Sequence, residues 1–587
     1  MTHATTGTSE ALLAGLDPEQ REVALAGRGP VCVLAGAGTG KTRAITYRIA
    51  YAAATGTVDP AHVLALTFTV RAAGELRGRL RQLGVGLVRA STFHAAALRQ
   101  LNYFWPKVVG GRPPQLADGK AGLVREAAKR AQVRLDGPGA VADAASEIEW
   151  AKVTQVRPDG YAAAAAAAGR APAAGAVSLA AVYAAYEELR RERHLLDFES
   201  VLELTAAILL DNRTAAGQVH DLFRYFVVDE YQDVNPLQKL LLDAWLGDRD
   251  DLCVVGDPHQ VIYSFTGATP SYLTGFAAEF GGATVVRLVR DYRSTPQVVA
   301  VANQLAKAAT PLLAQRPAGP PPVLTEYPDE TAEAGGVAVQ VQALRARGVP
   351  LREIAVLVRV NADTERFERA LAEAGLPVVV RGAERFYERP VVKQALVLLR
   401  GAARGEARAD RGPGVPRGDP LPAAVRHVLT GMGLTAAPAA GGAARERWES
   451  LTALAQLADD LHAANPAATL ADFSAELTQR SELGQAPAVD GVTLASMHAA
   501  KGLEWDAVLL PGLVEGLMPI VHARTPEAVE EERRLLYVAV TRAREHLHLS
   551  WAAVRTSSAQ GARGALPPGA RGAGRPRSRF LDGVRLG

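Results

Sequence analysis

The sequence contains little cysteine and no long apolar run. Cys32 and Cys253 are its only cysteines, and each lies within an apolar run typical of a strand. Two buried thiols exclude a cysteine metal site and favour a reducing compartment. No apolar run reaches membrane-spanning length, and the N-terminus lacks the basic-then-apolar order of a signal peptide. We therefore expect a cytoplasmic protein that does not act at a membrane.

Net charge is also nearly absent. The chain has 65 Lys and Arg against 62 Asp and Glu, which gives a formal net charge of +3 at pH 7. This balance neither demands nor excludes nucleic acid, so any basic surface must be local. A length of 587 residues is too long for one core, so we expect several domains.

Apolar strand-like runs alternate with helical patterns in two blocks of the chain. The first block covers about 20–95 and 220–285, and the second covers about 286–398 and 490–555. Such alternation predicts an α/β fold with parallel sheets and crossover connections. Helical spacing between 96 and 200 predicts a helical insertion. The segments between the remaining blocks are a Gly/Pro/Arg-rich loop at 402–420, helices at 421–483 and a Gly/Pro/Arg-rich tail at 557–577.

The segment AGAGTGKT follows the apolar run Val31–Leu34 and precedes a helical pattern. A strand, a Gly-rich turn and a helix are the context that supports a phosphate-binding loop. In such a loop the glycines let backbone N–H groups curl around phosphates, Lys41 reaches the β- and γ-phosphates, and Thr42 ligates Mg²⁺. The predicted nucleotide-binding residues of this segment are Ala35, Gly36, Ala37, Gly38, Thr39, Gly40, Lys41, Thr42 and Arg43.

Two carboxylates, Asp229 and Glu230, follow the apolar run Tyr225–Val228 directly. The end of a buried parallel strand is where an α/β sheet presents metal-binding groups and bases to a nucleotide. We expect Asp229 to hold Mg²⁺ and Glu230 to polarise the attacking water. Together with the phosphate loop, this pair predicts ATP hydrolysis.

Further motifs occur in a fixed order along nearly the whole chain. They are LDPEQ (16–20), AGAGTGKT (35–42), LALTFTVRAAGEL (64–76), STFH (91–94), DEYQDVNPLQ (229–238), VVGDPHQVIYSFTGA (254–268), DYRST (291–295), SMHAAKGLEWD (496–506) and EERRLLYVAVTRAREHL (531–547). This ordered set resembles the UvrD/PcrA/Rep group of superfamily-one helicases, in a short form like that of actinobacterial UvrD-like proteins.

The resemblance implies two RecA-like P-loop NTPase domains with parallel sheets, plus helical insertions. The expected parts are motor domain 1A at 1–95 and 201–285, insertion 1B at 96–200, motor domain 2A at 286–398 and 488–556, a reduced insertion 2B at 399–487, and a basic tail at 557–587 that carries RSRFL.

The resemblance also implies roles at the ATP site for residues outside the phosphate loop. Gln20 would read the adenine edge, Tyr292 would stack on the adenine, and Gln260 would sense the γ-phosphate. Glu504 would contact the ribose. Arg293 and Arg542 would come from the second motor domain as arginine fingers, a contribution of roughly 10³–10⁵ in rate in other NTPases.

Translocation requires a grip on a strand through stacking and phosphate contacts, without reading of sequence. Aromatic residues beside the ATP motifs are candidates for stacking, and the resemblance adds polar residues at matching positions. The candidate DNA contacts are Thr67, Phe68, Thr92, His94, Tyr263, Phe265, Arg359, Asn361, His498 and Phe580. If the run IYSFTG is extended, Tyr263 and Phe265 face opposite ways, which leaves one for the core and one for the strand.

The sequence departs from the family pattern at a few positions. Thr266 stands where many relatives have a basic residue, Val70-Arg71 replaces Asn-Lys, Asp291 replaces Asn, and Ile520 replaces His. Only about a hundred residues separate the GGxRFFER-like segment, 382–389, from SMHAAKG. A short 2B insertion implies less surface for binding duplex.

The resemblance implies an ATP- and Mg²⁺-dependent 3′→5′ DNA helicase or translocase that acts on single-stranded DNA and its junctions with duplex, in repair or recombination. A translocase that unwinds poorly is the first alternative. A P-loop kinase or nucleotide-gated scaffold is the second, but it leaves Arg542 and the SMHAAKG motif without a role.

Overall fold

The computed structural model describes residues 3–117, 119–136, 139–381, 390–407, 420–435, 442–483, 490–554 and 574–585. The chain divides into two units. The first comprises Met1–Arg293 and Ala306–Arg316, and the second comprises Ser294–Leu305 and Pro317–Gly587. Within the described ranges, no helix combines the length and apolar character needed to cross a bilayer.

The strands fall into two large sheets and two small pairs. In chain order they are β1 (Val31–Ala35), β2 (Val63–Thr67), β3 (Arg89–Thr92), β4 (Gln115–Leu116), β5 (Leu195–Leu196), β6 (Tyr225–Val228), β7 (Leu252–Gly256), β8 (Thr284–Leu288), β9 (Arg290–Asp291), β10 (Leu313–Ala314), β11 (Val323–Asp329), β12 (Ile354–Val358), β13 (Val378–Arg381), β14 (Val492–Ser496), β15 (Trp505–Leu510) and β16 (Ala543–Val554).

The helices flank the sheets or form the insertions. In chain order they are α1 (His3–Ala14), α2 (Pro18–Leu25), α3 (Lys41–Ala54), α4 (Val70–Gln82), α5 (Phe93–Val108), α6 (Lys120–Arg130), α7 (Ala140–Val153), α8 (Tyr161–Ala167), α9 (Ala176–Glu192), α10 (Phe198–Asp211), α11 (Arg213–Leu222), α12 (Pro236–Leu246), α13 (Ser271–Thr274), α14 (Phe276–Glu279), α15 (Pro296–Ala306), α16 (Glu330–Ala346), α17 (Thr364–Glu373), α18 (Pro390–Ala407), α19 (Leu421–Thr430), α20 (Gly442–Ala464), α21 (Leu470–Leu483) and α22 (Pro526–Val540).

The first unit is built on a six-stranded sheet of order β3-β2-β6-β7-β1-β8, in which all pairs are parallel. Its inner strands β1, β6 and β7 are continuously apolar, as expected of parallel strands that helices cover on both faces. One core cluster includes Leu64, Phe226 and Trp245, and another includes Val33, Ile45 and Val255. This architecture confirms the α/β prediction and brings the carboxyl ends of β1, β2, β6 and β7 to one edge of the sheet.

The second unit contains a six-stranded sheet of order β11-β16-β15-β12-β14-β13, again entirely parallel. Its core includes Val341, Val356 and Leu494. Two P-loop-type parallel sheets were expected, and both are present.

A helical insertion follows α5 and returns to the first sheet through α10. Helices α6 to α9 surround a core that includes Val124, Ile148 and Tyr186, and the strands β4 and β5 pair at its base. The Ala-rich stretch forms α8, because alanine has the highest helix propensity. The second helical group, α18 to α21, has its own core of leucines.

Two of the expected boundaries, which stay predictions, lie close to features of the structure. Strand β8 pairs with β1, and residues through Arg293 belong to the first unit, whereas the sequence predicts that the second motor domain starts at 286. The backbone N–H of Tyr292 donates to the Gly38 carbonyl at 2.9 Å, which ties this segment to the phosphate loop. Helix α18 extends to Ala407, beyond the expected start of the loop at 402. Residues 382–389, 408–419 and 555–573, which include expected motif and tail positions, lie outside the described residues.

Candidate ATP site and nucleic-acid interface

The phosphate loop lies where β1 ends and α3 begins, as the sequence predicts. Gly38 and Gly40 have φ angles of +71° and +78°, in the left-handed region that glycine adopts without strain. A Cβ atom at Gly40 would lie 2.7 Å from Gln20 Nε2, and one at Gly38 would overlap the Asp291 carboxylate. Only glycine therefore fits at these two positions.

The side chains of the loop fold back on its own backbone. Lys41 Nζ donates to the carbonyl oxygens of Ala35 and Gly36, at 3.2 Å each. The Thr39 hydroxyl donates to the same Gly36 carbonyl at 2.9 Å. These bonds hold the Lys41 ammonium over the loop, where a cation can neutralise phosphate oxygens.

Asp229 directly follows the last residue of β6, and its backbone N–H donates to the Leu66 carbonyl of β2 at 2.9 Å. The carboxylate is buried, and burial and then the charge of Glu230 raise the pKa of Asp229 to about 7, against the opposing effects of Lys41 and the Thr42 hydroxyl. A nearby cation strongly stabilises the ionised form of a buried carboxylate whose pKa is raised in this way.

The Thr42 hydroxyl lies close enough to the Asp229 carboxylate to lower its pKa, so two hard oxygen ligands are adjacent. Among the residues that the structure describes, no group of three or more His, Cys, Asp or Glu is placed to hold a metal ion. One carboxylate and one hydroxyl suit Mg²⁺, which takes its other ligands from nucleotide phosphates and water. The residues present therefore fit Mg²⁺ bound together with a nucleotide.

Glu230 adopts a left-handed backbone conformation, with φ 55° and ψ 39°. Such a conformation costs a non-glycine residue about 1–3 kcal/mol and is common at functional sites. The Gln232 side-chain amide donates to the Glu230 carboxylate, and the carboxamide oxygen of Gln232 accepts from the Asp257 N–H at 3.0 Å. Gln232 is fully buried, so it fixes the direction of the Glu230 side chain.

The hydrogen-bond chain continues from Asp257 to Gln260. Gln260 Nε2 donates to Asp257 Oδ2 at 2.8 Å, and the His259 N–H donates to Asp257 Oδ1 at 2.9 Å. A Cβ atom at Gly256 would lie 2.5 Å from Gln232 Oε1, so glycine is required there. We name the series Glu230, Gln232, Asp257 and Gln260 the carboxylate–glutamine relay. Sequence reasoning noted the acidic motif but not the role of Gln232 or Asp257.

A second group of side chains surrounds the N-terminus of α2. Asp17 caps this helix by accepting from the Gln20 N–H at 2.7 Å, and it also accepts from the Tyr292 hydroxyl at 2.7 Å. Gln20 Nε2 donates to the Thr39 carbonyl at 3.1 Å. One carboxylate therefore sets the positions of both residues expected at adenine, and the Tyr292 ring remains about half exposed.

Arg43 and Arg293 take positions that the sequence did not predict. The Arg43 guanidinium donates to the Gly15 carbonyl at 2.8 Å and lies over the Tyr47 ring. Arg293 belongs to the first unit, and its N–H donates to Asp291 Oδ1 at 2.7 Å.

In the second unit, Arg542 is buried between the end of α22 and the start of β16. Its guanidinium donates to the carbonyl oxygens of Val538, at 2.9 Å, and Leu503, at 3.1 Å. Glu504 accepts from Arg544 at 2.9 Å, and Arg544 also binds Asp506. Both predicted residues therefore already have protein partners.

Arg359 forms a bidentate ion pair with Glu532, at 2.9 and 2.7 Å, where β12 ends. The Ile520 N–H donates to the same carboxylate at 3.1 Å. Burial and then the Arg359 charge lower the pKa of His498 to about 4, against the effect of Glu532, so this imidazole is neutral at pH 7. Asn361, by contrast, is exposed.

Four candidates for strand contact lie at or just after the ends of β2 and β3. Thr67 and Thr92 are buried, and Thr92 caps α5 by accepting from the Ala95 N–H at 3.2 Å. Phe68 is partly buried against the first core. His94 packs edge-on against Phe198, with ring centroids 5.6 Å apart. Phe198 is 55% exposed and was not among the residues predicted from sequence, although its position beside His94 makes it a stacking candidate.

The run that contains Tyr263 and Phe265 is not extended, so the condition under which the two rings would face opposite ways is not met. Residues Ser264–Thr266 form a 3₁₀ turn rather than an extended run, and Gly267 has a φ of +93°. The turn brings the two rings to one side, with centroids 6.1 Å apart. Phe265 is 49% exposed, so it presents the more accessible ring.

Phe580 is also misassigned as a stacking residue. It is 2% exposed, and the Arg533 guanidinium lies 5.1 Å from the centroid of its ring. The 3₁₀ turn Arg579–Leu581 buries both Phe580 and Leu581. A ring packed in this way serves the core of the second unit.

The comparisons with known proteins agree with this arrangement. The description "UvrD/REP helicase N-terminal domain" matches residues 16–281, and "UvrD-like helicase C-terminal domain" matches residues 286–409 and 424–554. The chain is 51% identical over 599 residues to ATP-dependent DNA helicase UvrD2 of Mycobacterium tuberculosis (strain ATCC 25618 / H37Rv), across 98% of this chain and 82% of that protein.

Two more distant relatives match over similar lengths. ATP-dependent DNA helicase UvrD1 of Mycobacterium tuberculosis (strain CDC 1551 / Oshkosh) is 30% identical, across 94% of this chain and 84% of that protein. ATP-dependent DNA helicase PcrA of Bacillus subtilis (strain 168) is 28% identical, across 93% and 84%. The match over residues 16–281 contains both the phosphate loop and the acidic motif, and the second match covers most of the remaining chain, so the chain belongs to the family of UvrD-like helicases.

Proposed function

We propose that this protein is an ATP-dependent DNA helicase that moves 3′→5′ along single-stranded DNA. The observation that carries the proposal is the assembly of Lys41, Thr42, Asp229, Glu230 and Gln260 at the carboxyl edge of one parallel sheet. These residue types are those that ATP hydrolysis needs. The UvrD2, UvrD1 and PcrA relatives, each named an ATP-dependent DNA helicase, support DNA as the substrate. The 3′→5′ polarity and a role in repair or recombination rest on the family resemblance.

In the proposed cycle, Lys41 binds the phosphates and Glu230 orients the attacking water. Asp229 and Thr42 would hold Mg²⁺, which neutralises charge on the phosphates and on the leaving group when it is bound. The relay connects Glu230 to Gln260 through hydrogen bonds, so that the groups proposed to orient the water and to sense the γ-phosphate would be positioned together. Gln20 and Tyr292 would bind the adenine, and Glu504 the ribose.

Arg293 and Arg542 are proposed to stabilise the charge that develops on the transferred phosphoryl group. Arg542 would exchange its bonds to Val538 and Leu503 for the phosphate in that state. Because such a contact strengthens in the transition state, Arg542→Ala is expected to lower kcat far more than it raises the KM for ATP. Steady-state kinetics of Arg542→Ala, with Arg542→Lys measured alongside, test this role. A fall in kcat that is matched by an equal rise in KM would contradict it.

The strand track is proposed to include Phe198 beside His94, and Phe265 beside Tyr263. Thr67, Phe68, Thr92, Arg359, Asn361 and His498 stay proposed contacts. The two buried free thiols suit a cytoplasmic protein.

The decisive experiment measures ATP hydrolysis and strand separation on the same substrates. These are single-stranded DNA, RNA, and duplex DNA with a 3′ or a 5′ tail, with Lys41→Met as the inactive control. We expect hydrolysis to be stimulated by single-stranded DNA and unwinding to require a 3′ tail. Hydrolysis that no nucleic acid stimulates would favour the kinase or scaffold alternative instead.

A translocase with weak unwinding is the second candidate. The Thr266 hydroxyl donates to the Tyr263 carbonyl at 2.8 Å, so this side chain closes its own turn and offers no charge to a phosphate. DNA-stimulated hydrolysis with displacement of a protein block, but without unwinding of duplex on long 3′ tails, would select this candidate. Replacement of Thr266 by Arg would then be expected to increase unwinding.

A further inference from the structure

Three arginines surround β3, the edge strand of the first sheet. Arg77 of α4 donates to the Ala90 carbonyl at 3.0 Å, and Arg99 of α5 donates to the Ser91 hydroxyl at 2.9 Å. Arg89 opens β3, and its guanidinium lies 5.3 Å from the centroid of the Phe223 ring. We name Arg77, Arg89 and Arg99 the edge arginine cluster. The three guanidinium groups therefore belong to, or bond with, three consecutive residues of β3, at positions 89, 90 and 91.

No ion pair among the described residues balances the charge of the cluster. Within the described parts of the chain, none of the three arginines forms an ion pair, although all three are exposed. Arg79, two residues beyond Arg77 on α4, does pair with Glu75 at 2.5 Å. Burial and then the charges of Arg89 and Arg77 lower the pKa of Arg99, which places the three cations within electrostatic reach of one another.

Each guanidinium carries five N–H donors in a planar fork, and at most one of them is used by the protein here. Such forks match the geometry of phosphate oxygens and bind them bidentately. Mutual repulsion among three cations is relieved when an anion binds between them. The cluster thus fits a polyanion better than it fits a neutral partner.

The position of the cluster points to which polyanion this is. Thr92 ends β3, and His94 lies in the first turn of α5, so two proposed strand contacts follow the cluster on the same two elements. We infer that the edge arginine cluster binds the phosphodiester backbone of the DNA strand and extends the proposed strand track along β3. This inference rests on the proposed function. The contacts are to phosphate and would not read sequence.

The test measures the binding of oligothymidylate by fluorescence anisotropy over a series of salt concentrations. The variant is Arg77→Gln, Arg89→Gln and Arg99→Gln together, and the matched control is Arg79→Gln, whose arginine is already paired. We expect weaker binding by the triple variant, and a plot of log affinity against log salt that is less steep by about 0.7 for each phosphate that an arginine no longer neutralises. The control should match the parent protein, and a triple Arg→Lys variant should retain most of the salt slope.

If log affinity falls with log salt as steeply in the triple variant as in the parent, the inference is wrong. The arginines would then serve only to keep the edge strand β3 from pairing with another chain. If the parent binds DNA and hydrolyses ATP in response to it, that result leaves the proposed function intact. A parent without DNA binding would refute both. If the triple variant does not fold, Arg89→Gln alone decides, since Arg89 makes no side-chain hydrogen bond in the described structure; its slope should fall by the amount expected for one phosphate.

Discussion

Asp229 and Asp197 are both buried aspartates of the first unit, and the pKa values of their carboxylates move in opposite directions. Asp229 lies beside Glu230, and its pKa rises to about 7, through burial and then the Glu230 charge. Burial alone would also raise the pKa of Asp197, but the charge and hydrogen bond of Lys152 and the Ser200 donors hold it well below its ordinary value. Burial is common to the two, so their partners make the difference.

Asp197 belongs to a group of side chains that satisfy one another. We name Lys152, Tyr186, Glu187 and Asp197 the insertion charge cluster. Lys152 Nζ donates to Glu187 at 2.7 Å and to Asp197 at 2.8 Å, and the Tyr186 hydroxyl donates to Asp197 at 2.9 Å. A buried charge with all its partners stabilises a particular packing, whereas one short of cations is suited to bind a cation. Completeness of pairing therefore separates a structural from a functional carboxylate in this unit.

The largest expected effect comes from the loss of the lysine of the insertion charge cluster. Lys152→Met leaves the buried Asp197 without its cation, while Glu187 keeps only Arg190, and this should lower the free energy of unfolding by about 3–5 kcal/mol. Chemical denaturation measures this loss. The DNA-stimulated kcat of the folded variant should be close to that of the parent, and a large fall in kcat at normal stability would contradict the structural assignment.

Lys41→Met is the matching change at the ATP site. Removal of one preorganised cation beside the phosphates should reduce kcat by about 10²–10³-fold or more. Its stability should change by no more than about 0.5 kcal/mol, because Lys41 bonds only to two loop carbonyls. Hydrolysis assays and thermal unfolding on the same sample check both values. Sustained turnover in this variant would exclude the assigned phosphate site.

Asp229→Asn should stabilise the metal-free protein while it abolishes hydrolysis. The folded-state pKa of Asp229 lies above its unfolded value of about 4, so the protonated form favours folding, and this stability is lost as pH rises through about 7. Asparagine lacks this ionisation, so the variant should exceed the parent by about 1–3 kcal/mol near pH 8, and by little near pH 4. Unfolding in EDTA at both pH values measures the difference; an advantage confined to low pH would reverse the interpretation.

The smallest expected effect concerns the relay. Gln232→Leu removes the donor to Glu230 and the acceptor for the Asp257 N–H, so Glu230 loses its fixed direction. We expect kcat to fall by about tenfold with little change in the KM for ATP, since the misplacement affects the reacting geometry rather than nucleotide binding. Gln155→Leu, which removes an exposed bond to the Pro236 carbonyl, is the control. Equal kinetics in the two variants would leave Gln232 with a packing role only.

Much of the first unit follows from local sequence. The run Val31–Leu34 predicts β1 to within one residue, and Tyr225–Val228 predicts β6 at its observed limits, because strands buried on both faces are continuously apolar. The phosphate loop is predicted with equal accuracy because its glycines, lysine and threonine are adjacent in the chain. Signals of this kind depend on neighbouring residues alone.

Contacts between distant residues could not be predicted in the same way. Tyr263 and Phe265 share one side because a 3₁₀ turn replaces the extended backbone that their alternation suggested. Phe580 is an aromatic in a basic segment, as a stacking residue would be, yet tertiary packing buries it. Phe198 gave no signal of its own, and its exposure beside His94 is visible only in the folded chain.

The sequence by itself determined the two parallel sheets, the phosphate loop, the acidic pair and the family resemblance, because each is written in short runs of adjacent residues or in the order of such runs. Only the tertiary structure decided which buried charges are paired, which aromatics are accessible and how Glu230 is held by Gln232. Those properties depend on atoms that lie far apart along the chain. Asp229 and Asp197 are both aspartates beside apolar runs, and only their partners in the fold distinguish a candidate metal ligand from part of the insertion's charge cluster.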